Sequence, residues 1–259
     1  MFHPGQVNRP GTFAEYTLVD ERIVGKLPDA VSFVDAAALP MTALTAHELL
    51  FQRMGIPEGA ENGSVLVING AGGVGSIAIQ LLRAFTDMTV IATASRPESG
   101  HWCKKMGAHY VISHRERLSK ALAKLDHQGV DFVACLSHTE AHLPEIIQCI
   151  KPFGTIGLID QPKSLDIMPL REKALRIAFE GVFVKALMQT TDMSTQGQVL
   201  TQLGMLLAEG ALQTTRNQTL AGLTVENARQ AHMAMETGAT IGKIVLVPHV
   251  QEARGGKLI

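Results

Sequence analysis

Three cysteines are too few and too scattered to build a framework. Cys103, Cys135 and Cys149 are odd in number and match no metal-ligand spacing. They exclude a disulfide scaffold and a cysteine-rich zinc module, and make a reducing cytoplasm the simplest home. A dominant charge is also missing: 23 Lys and Arg stand against 24 Asp and Glu, for a net charge of −1. With no Lys/Arg block either, the chain offers no field to nucleic acid. No apolar run reaches membrane-spanning length, because Gly and polar residues interrupt every candidate. Met1-Phe2-His3-Pro4-Gly5 lacks the basic-then-apolar layout of a secretion signal. What remains is 259 residues, 46% hydrophobic and 18% charged, ordinary for a soluble protein of one large or two modest domains.

The informative stretch is Val65-Leu66-Val67-Ile68-Asn69-Gly70-Ala71-Gly72-Gly73-Val74-Gly75-Ser76. Four consecutive apolar residues predict a strand buried on both faces, as in a parallel sheet. Gly70, Gly72 and Gly75 then follow the G-x-G-x-x-G spacing, and a helix pattern starts at once. Gly70 permits the tight turn, Gly72 lets backbone approach a pyrophosphate, and Gly75 lets helix and strand pack closely. The helix N-terminus would present free N–H groups to the phosphates. A strand before and a helix after raise this above a merely tight turn, toward dinucleotide binding.

Residues 1–12 are turn-rich, and Phe13–Val19 reads as a short strand. Ser32 and Asp35 resemble a capping box for a short helix through Leu39. Pro40 ends that piece, and Thr42–Met54 has an amphipathic helix pattern closed by Gly55 and Pro57. Beyond the glycine loop and its helix, strands are expected at Thr89–Ala94, Tyr110–Ile112, Val130–Cys135, Phe153–Ile159 and Ala178–Val184. Helices are expected between them at His101–Met106, Leu118–Leu125 and Leu143–Ile150, with Gln196–Ala208 last. This alternation predicts an α/β fold, a doubly wound parallel (Rossmann) sheet, over residues 35–210. Residues 211–259 break the alternation with a polar strand at Leu212–Leu220, a helix at Val225–Thr237 and a strand at Lys243–Val247. With residues 1–34 they are expected to make a partial, mostly β second domain built from both chain ends. Gln251–Ile259 reads as a frayed polar end. The strand at Ala178–Val184 would be a sheet edge, which invites a homodimer.

In NAD binders an acidic residue about 20 positions beyond the glycines accepts hydrogen bonds from the ribose. Here the end of the second strand carries Thr93-Ala94-Ser95-Arg96. Arg96 can face a 2′-phosphate with a planar fork of donors, and Ser95 can add another. The expected cofactor is therefore NADP(H), and the arginine also argues against a methyltransferase, whose loop would want an acid near the ribose.

The glycine loop, Leu39-Pro40-Met41-Thr42-Ala43-Leu44-Thr45-Ala46 ahead of it, Asn8-Arg9-Pro10-Gly11-Thr12-Phe13-Ala14-Glu15-Tyr16, and Ile241-Gly242-Lys243-Ile244-Val245-Leu246 together resemble one family. It is the medium-chain dehydrogenase/reductase superfamily, in its quinone oxidoreductase and zinc-type alcohol dehydrogenase-like branch. The resemblance covers essentially the whole chain. It implies a two-domain enzyme that reduces small quinones, enones or carbonyls by hydride transfer from NADPH. Ala71, Gly72, Gly73, Val74 and Gly75 would cradle the pyrophosphate, and Thr93, Ser95 and Arg96 would serve the phosphorylated ribose. His114 would lie near the adenosine, while Leu136, Ser137, Leu158 and Ile159 would line the ribose and nicotinamide. Thr42 would sit beside the nicotinamide and is the candidate to polarise the substrate. Family members carry a long GroES-like segment ahead of the point where this chain begins, so residues 1–34 and 211–259 are expected to be parts of that catalytic domain. A truncated, non-catalytic NADP-binding module is the alternative reading.

No metal site is expected. Where zinc-dependent relatives place a cysteine, this chain has Ala36-Ala37-Ala38. His138 and His142 are four residues apart, but without the H-E-x-x-H order they read as polar groups at a helix start. Cys135 ends a buried strand, where an inert thiol is the norm.

Overall fold

Alternate side chains of Val65-Leu66-Val67-Ile68 go to opposite sides and so decide the architecture. In the computed structural model, which describes residues 1–3, 11–14 and 16–248, β1 (Ser64–Ile68) buries all its residues. Val65 and Val67 enter one core with Leu44, Ile77 and Leu81, whereas Leu66 and Ile68 enter another with Ile91, Leu143 and Ile146. A strand apolar on both faces belongs in the middle of a parallel sheet covered by helices on both sides.

That sheet has six strands in the order β3-β2-β1-β4-β5-β6. The others are β2 (Thr89–Thr93), β3 (Tyr110–Ile112), β4 (Val130–Cys135), β5 (Ile150–Leu158) and β6 (Arg176–Phe179). All pairings are parallel. The first core is closed by α2 (Pro40–His47), α3 (Gly73–Phe85), α4 (Pro97–Lys105) and α8 (Thr195–Ala208); the second by α5 (Leu118–Ala123) and α6 (Thr139–Cys149). The strand order reverses between β1 and β4, and the crevice beyond the carboxyl ends of those strands is where such sheets bind ligands. The doubly wound parallel sheet expected from the sequence is therefore the observed one. Among the described residues, no helix is long and apolar enough to cross a membrane.

Several boundaries differ from expectation, each for a tertiary reason. No strand forms over residues 11–14 or 16–19; Tyr16 and Leu18 stand 92% and 93% exposed, with no paired neighbour. Asn8-Arg9-Pro10, Glu15 and Gln251–Ile259 lie outside the described residues. Ser32 does cap α1 (Phe33–Ala37), accepting from the Asp35 N–H and donating to its carboxylate at 2.7 Å. Pro40 begins α2 rather than only ending the previous piece. Nor is α2 amphipathic: Thr42 to His47 are all buried between α3 and α8. It continues as a π-helical turn at Glu48–Arg53. α6 starts earlier than expected and runs through Pro144, because Asp160 caps it from another loop, accepting from the Thr139 N–H at 2.9 Å. β6 stops at Phe179, and a turn at Gly181 leads into α7 (Val184–Met188).

A two-stranded second sheet, β7 (Arg216–Ala221) with β8 (Lys243–Val247), is parallel. Parallel neighbours need a crossover, supplied by α9 (Val225–Glu236), so this tail is itself a small β–α–β unit. The strand expected from Leu212 starts later. Leu212 is buried in the first core, the Gln213 N–H donates to Gln80 Oε1 at 2.7 Å, and Thr215 Oγ1 donates to the Ala38 carbonyl at 3.3 Å.

Candidate functional site

The glycine loop leaves β1 through Asn69, which sits in the left-handed region at φ 63°, a conformation asparagine tolerates better than most. Two bonds tie the turn to β2: the Asn69 N–H donates to Thr93 Oγ1 at 3.0 Å and the Gly70 N–H to the Thr93 carbonyl at 3.2 Å. Gly72 is extended and caps α3. A Cβ at Gly75 would fall 2.3 Å from the Asn69 carbonyl oxygen and 2.7 Å from Gly70 Cα, so the close helix–strand approach read from the spacing is present. Among the described residues, no acceptor meets the N–H groups of Gly73, Val74 and Gly75. Three free donors at a helix N-terminus are what an anion requires.

Lys243 stands over the same point. A Cβ on Gly73 would lie 2.7 Å from Lys243 Cδ and 3.2 Å from Thr42 Cγ2, so the lysine stem and the threonine methyl flank the loop together. The Lys243 ammonium has no acidic partner among the described residues, and burial lowers its pKa below the usual lysine value. A half-buried cation with no acidic partner among the described residues, beside free N–H groups, is a costly arrangement that an anion would relieve. Two backbone bonds fix the approach of this strand: the Gly242 N–H donates to the Ala71 carbonyl and the Lys243 N–H to the Thr215 carbonyl, both at 2.8 Å. Lys243 was in the stretch that carried the family resemblance, but nothing in its spacing ties it to the glycines far upstream.

The other expected residues distribute along the same edge of the sheet. Thr42 is buried, and its hydroxyl donates to the carbonyls of Leu39 at 3.1 Å and Ala38 at 3.2 Å. Thr93 is buried and occupied with Asn69. Ser95 and Arg96 follow β2; the Arg96 guanidinium extends from the head of α4, where Nη2 donates to the Ala239 carbonyl at 2.6 Å. His114 follows β3, its ring 6.0 Å from that of His142 and edge-on to it. Both imidazoles are pushed below the ordinary histidine pKa, chiefly by burial. Leu136 and Ser137 follow β4, beside Leu158 and Ile159, since Cys135 pairs with Leu158. Leu158 is fully buried, so only its backbone is available to a ligand.

The described residues contain no group of three or more His, Cys, Asp or Glu placed to hold a metal ion. All three cysteines are buried on different elements. Burial pushes Cys103 and Cys149 up to about 12 and Cys135 up to about 11, which makes them poor nucleophiles. A surface cavity lined by Leu122, His127, Gly129, Gln148 and Cys149 opens at the beginning of β4, the edge opposite the glycine loop, and holds none of the residues expected to bind the cofactor.

A protein-family model described as zinc-binding dehydrogenase matches residues 106–246. A zinc-type alcohol dehydrogenase-like protein of Staphylococcus aureus (strain MSSA476) is 38% identical over 250 residues, 95% of this chain and 74% of the relative. A crystal structure from Rhizobium etli CFN 42, provisionally assigned as a zinc-dependent alcohol dehydrogenase, superposes with a TM-score of 0.88 at 44% identity. It covers 93% of this chain and 71% of that one. The Escherichia coli quinone oxidoreductase complexed with NADPH gives a TM-score of 0.71 at 25% identity, over 86% and 67% of the two chains.

Proposed function

The chain belongs to the zinc-binding dehydrogenase family of medium-chain oxidoreductases, and on that premise we propose that it transfers hydride from NADPH to a quinone, enone or carbonyl without catalytic zinc. The observation that carries the cofactor half of this reading is the convergence at Gly73: three N–H groups and the half-buried side chain of Lys243, none of them with an acceptor or acidic partner among the described residues. That donor set fits a pyrophosphate, and the quinone oxidoreductase of similar fold was crystallised with NADPH.

In this reading Ala71 to Gly75 and Lys243 hold the pyrophosphate, while Ser95 and Arg96 receive the 2′-phosphate. Thr93 keeps the ends of β1 and β2 in register beneath them. His114 borders the adenosine, and Leu136, Ser137, Leu158 and Ile159 form the wall along the ribose and nicotinamide. A bound nicotinamide supplies the hydride; the protein supplies orientation and a dry cleft. Thr42 lies beside the nicotinamide. To polarise a substrate carbonyl its hydroxyl must give up the bonds to Ala38 and Leu39. The zinc-independent assignment rests on Ala36-Ala37-Ala38 and on cysteines kept apart and protonated. The three buried thiols also favour a reducing cytoplasm. The proposed division keeps residues 35–210 as the NADP-binding unit, with residues 1–34 and 211–259 assigned to a catalytic part.

We further propose a homodimer formed through β6. It is the last strand of the sheet, and Phe179 at its end is 61% exposed, as are parts of Val184, Leu187 and Met188 just beyond. A monomeric mass in light scattering at micromolar concentration would exclude it.

The function is tested by following NADPH oxidation with a panel of quinones, enones and carbonyls. Turnover with at least one class is expected. NADPH binding without any oxidation across the panel would leave a non-catalytic NADP-binding module, and absence of binding to either dinucleotide would remove the cofactor reading.

A further inference from the structure

Trp102 is the single tryptophan of the chain, and its indole N–H is committed to the glycine loop. It lies on α4, 9% exposed, and Nε1 donates to Ser76 Oγ at 2.8 Å. Ser76 Oγ donates in turn to the Gly72 carbonyl at 2.7 Å, the same oxygen that accepts from the Ser76 N–H at 2.9 Å. Gly72 is the cap of α3, the residue whose backbone comes up against a pyrophosphate in the proposed site. A serine hydroxyl in a helix has a free rotor and several nearby acceptors. With the indole N–H occupying one lone pair, the Ser76 proton is directed at Gly72, and the first turn of α3 is held at one angle.

The indole also meets the second structure that converges on the loop. A Cβ at Gly242 would fall 2.9 Å from Trp102 Cζ2 and 2.4 Å from the Thr215 carbonyl, and Gly242 has φ +60°. Only glycine fits between the ring and the Thr215 carbonyl in that conformation. Gly242 bonds Ala71, and the next residue is Lys243. The ring thus bears on both halves of the anion site, through Ser76 on the free N–H groups and through Gly242 on the ammonium. Alanine at position 76 would remove only the hydroxyl of the relay, whereas phenylalanine at position 102 would remove both the indole N–H and the Cζ2 edge that faces Gly242.

We propose that Trp102, acting through Ser76, is a positioning residue for the pyrophosphate of the dinucleotide. It preorganises the donors of Gly73 to Gly75, so that less ordering is left to occur on binding. The proposal rests on the dinucleotide reading above.

The test uses the purified full chain and the variants Trp102→Phe, Ser76→Ala and the double variant. NADPH, ADP-ribose and adenosine 2′-monophosphate, which lacks a pyrophosphate, are titrated by calorimetry. Loss of one oriented hydrogen bond predicts roughly threefold to tenfold weaker binding of NADPH and ADP-ribose, with adenosine 2′-monophosphate unchanged. The double variant should lose no more than the worse single one, because both break the same relay. With a substrate in hand, KM for NADPH should rise by the same factor while kcat holds. Unchanged NADPH affinity in the variants overturns the proposal, as does an equal loss for all three ligands, which marks a merely structural role. If Trp102→Phe does not fold, Ser76→Ala decides alone by the same criteria. Wild-type protein that binds no dinucleotide removes the parent reading instead, which the wild-type titration shows by itself.

Discussion

Lys243 lays its stem across Gly73: a Cβ added to that glycine would sit 2.7 Å from Lys243 Cδ. The two residues are far apart in the sequence, and in the proposed reading their contact closes the anion site. Replacing Lys243 with Met keeps the stem and removes the charge. NADPH affinity should then fall by roughly 10- to 100-fold, the worth of a charge-assisted hydrogen bond, with little change in Tm. Burial holds the ammonium below the normal lysine pKa, while a bound anion would raise it again. Wild-type affinity should therefore weaken as pH rises into the alkaline range, and the variant should lose that dependence. Fluorescence titration across pH checks both.

The loop glycines should separate by role. Gly75 has main chain on every near side, 2.3 Å from the Asn69 carbonyl and 2.7 Å from Gly70, whereas Gly72 meets only the Asn69 side chain at 3.1 Å. Gly75→Ala should cost about 3 kcal/mol of stability by prising helix from strand. Gly72→Ala should change stability by less than about 1 kcal/mol yet weaken dinucleotide binding. Thermal melts and cofactor titrations on both variants check the ranking.

Arg96→Ala should lower affinity for NADPH by about tenfold, the equivalent of 1.4 kcal/mol, and leave NADH nearly unchanged. Equal losses for the two cofactors would instead make Arg96 a tether for the Ala239 loop, to which Nη2 is bonded.

A buried ionic cluster lies behind the sheet. Lys185 Nζ is 3.0 Å from Glu48 Oε1, and the two side chains are 3% and 1% exposed. Removing one partner of such a pair strands the other charge. Lys185→Met should cost about 3–5 kcal/mol in urea denaturation, and Lys185→Met with Glu48→Gln should recover part of the loss.

Glu180 adjoins that cluster. Its Oε2 accepts from Arg53 Nε at 2.9 Å, while burial and the neighbouring Glu48 carboxylate push its pKa up to about 7 from the usual 4.5. Folded protein keeps a proton that the unfolded chain has released. The stabilisation is complete below pH 4.5 and is lost as pH rises toward 7. Glu180→Gln cannot lose a proton, so Tm between those pH values should flatten, and the variant should gain on the order of 1 kcal/mol over wild type at about pH 8.

Much of the sheet was legible because periodicity is local. The unbroken apolar run from Val65 to Ile68 reads as a covered strand, and the glycine spacing announces the helix that follows, which begins at Gly73. Elements failed where the deciding contact was distant. Residues 13–19 have strand-like composition, but among the described residues nothing pairs with them. Leu212 to Thr215 look extended yet are tied to Gln80 and Ala38. α6 begins at Thr139 because Asp160 caps it across a loop.

The sequence by itself determined the class of molecule: a parallel α/β sheet, a glycine turn with the G-x-G-x-x-G spacing, and an arginine where an NAD binder carries an acid. These depend on residues near one another in the chain, where dihedral preference and hydrophobic period act directly. Only the tertiary structure decided what surrounds the turn. Lys243 over Gly73, Trp102 against Ser76 and Gly242, and Arg96 on Ala239 are meetings between segments brought together by packing, and no local pattern encodes which segments those will be.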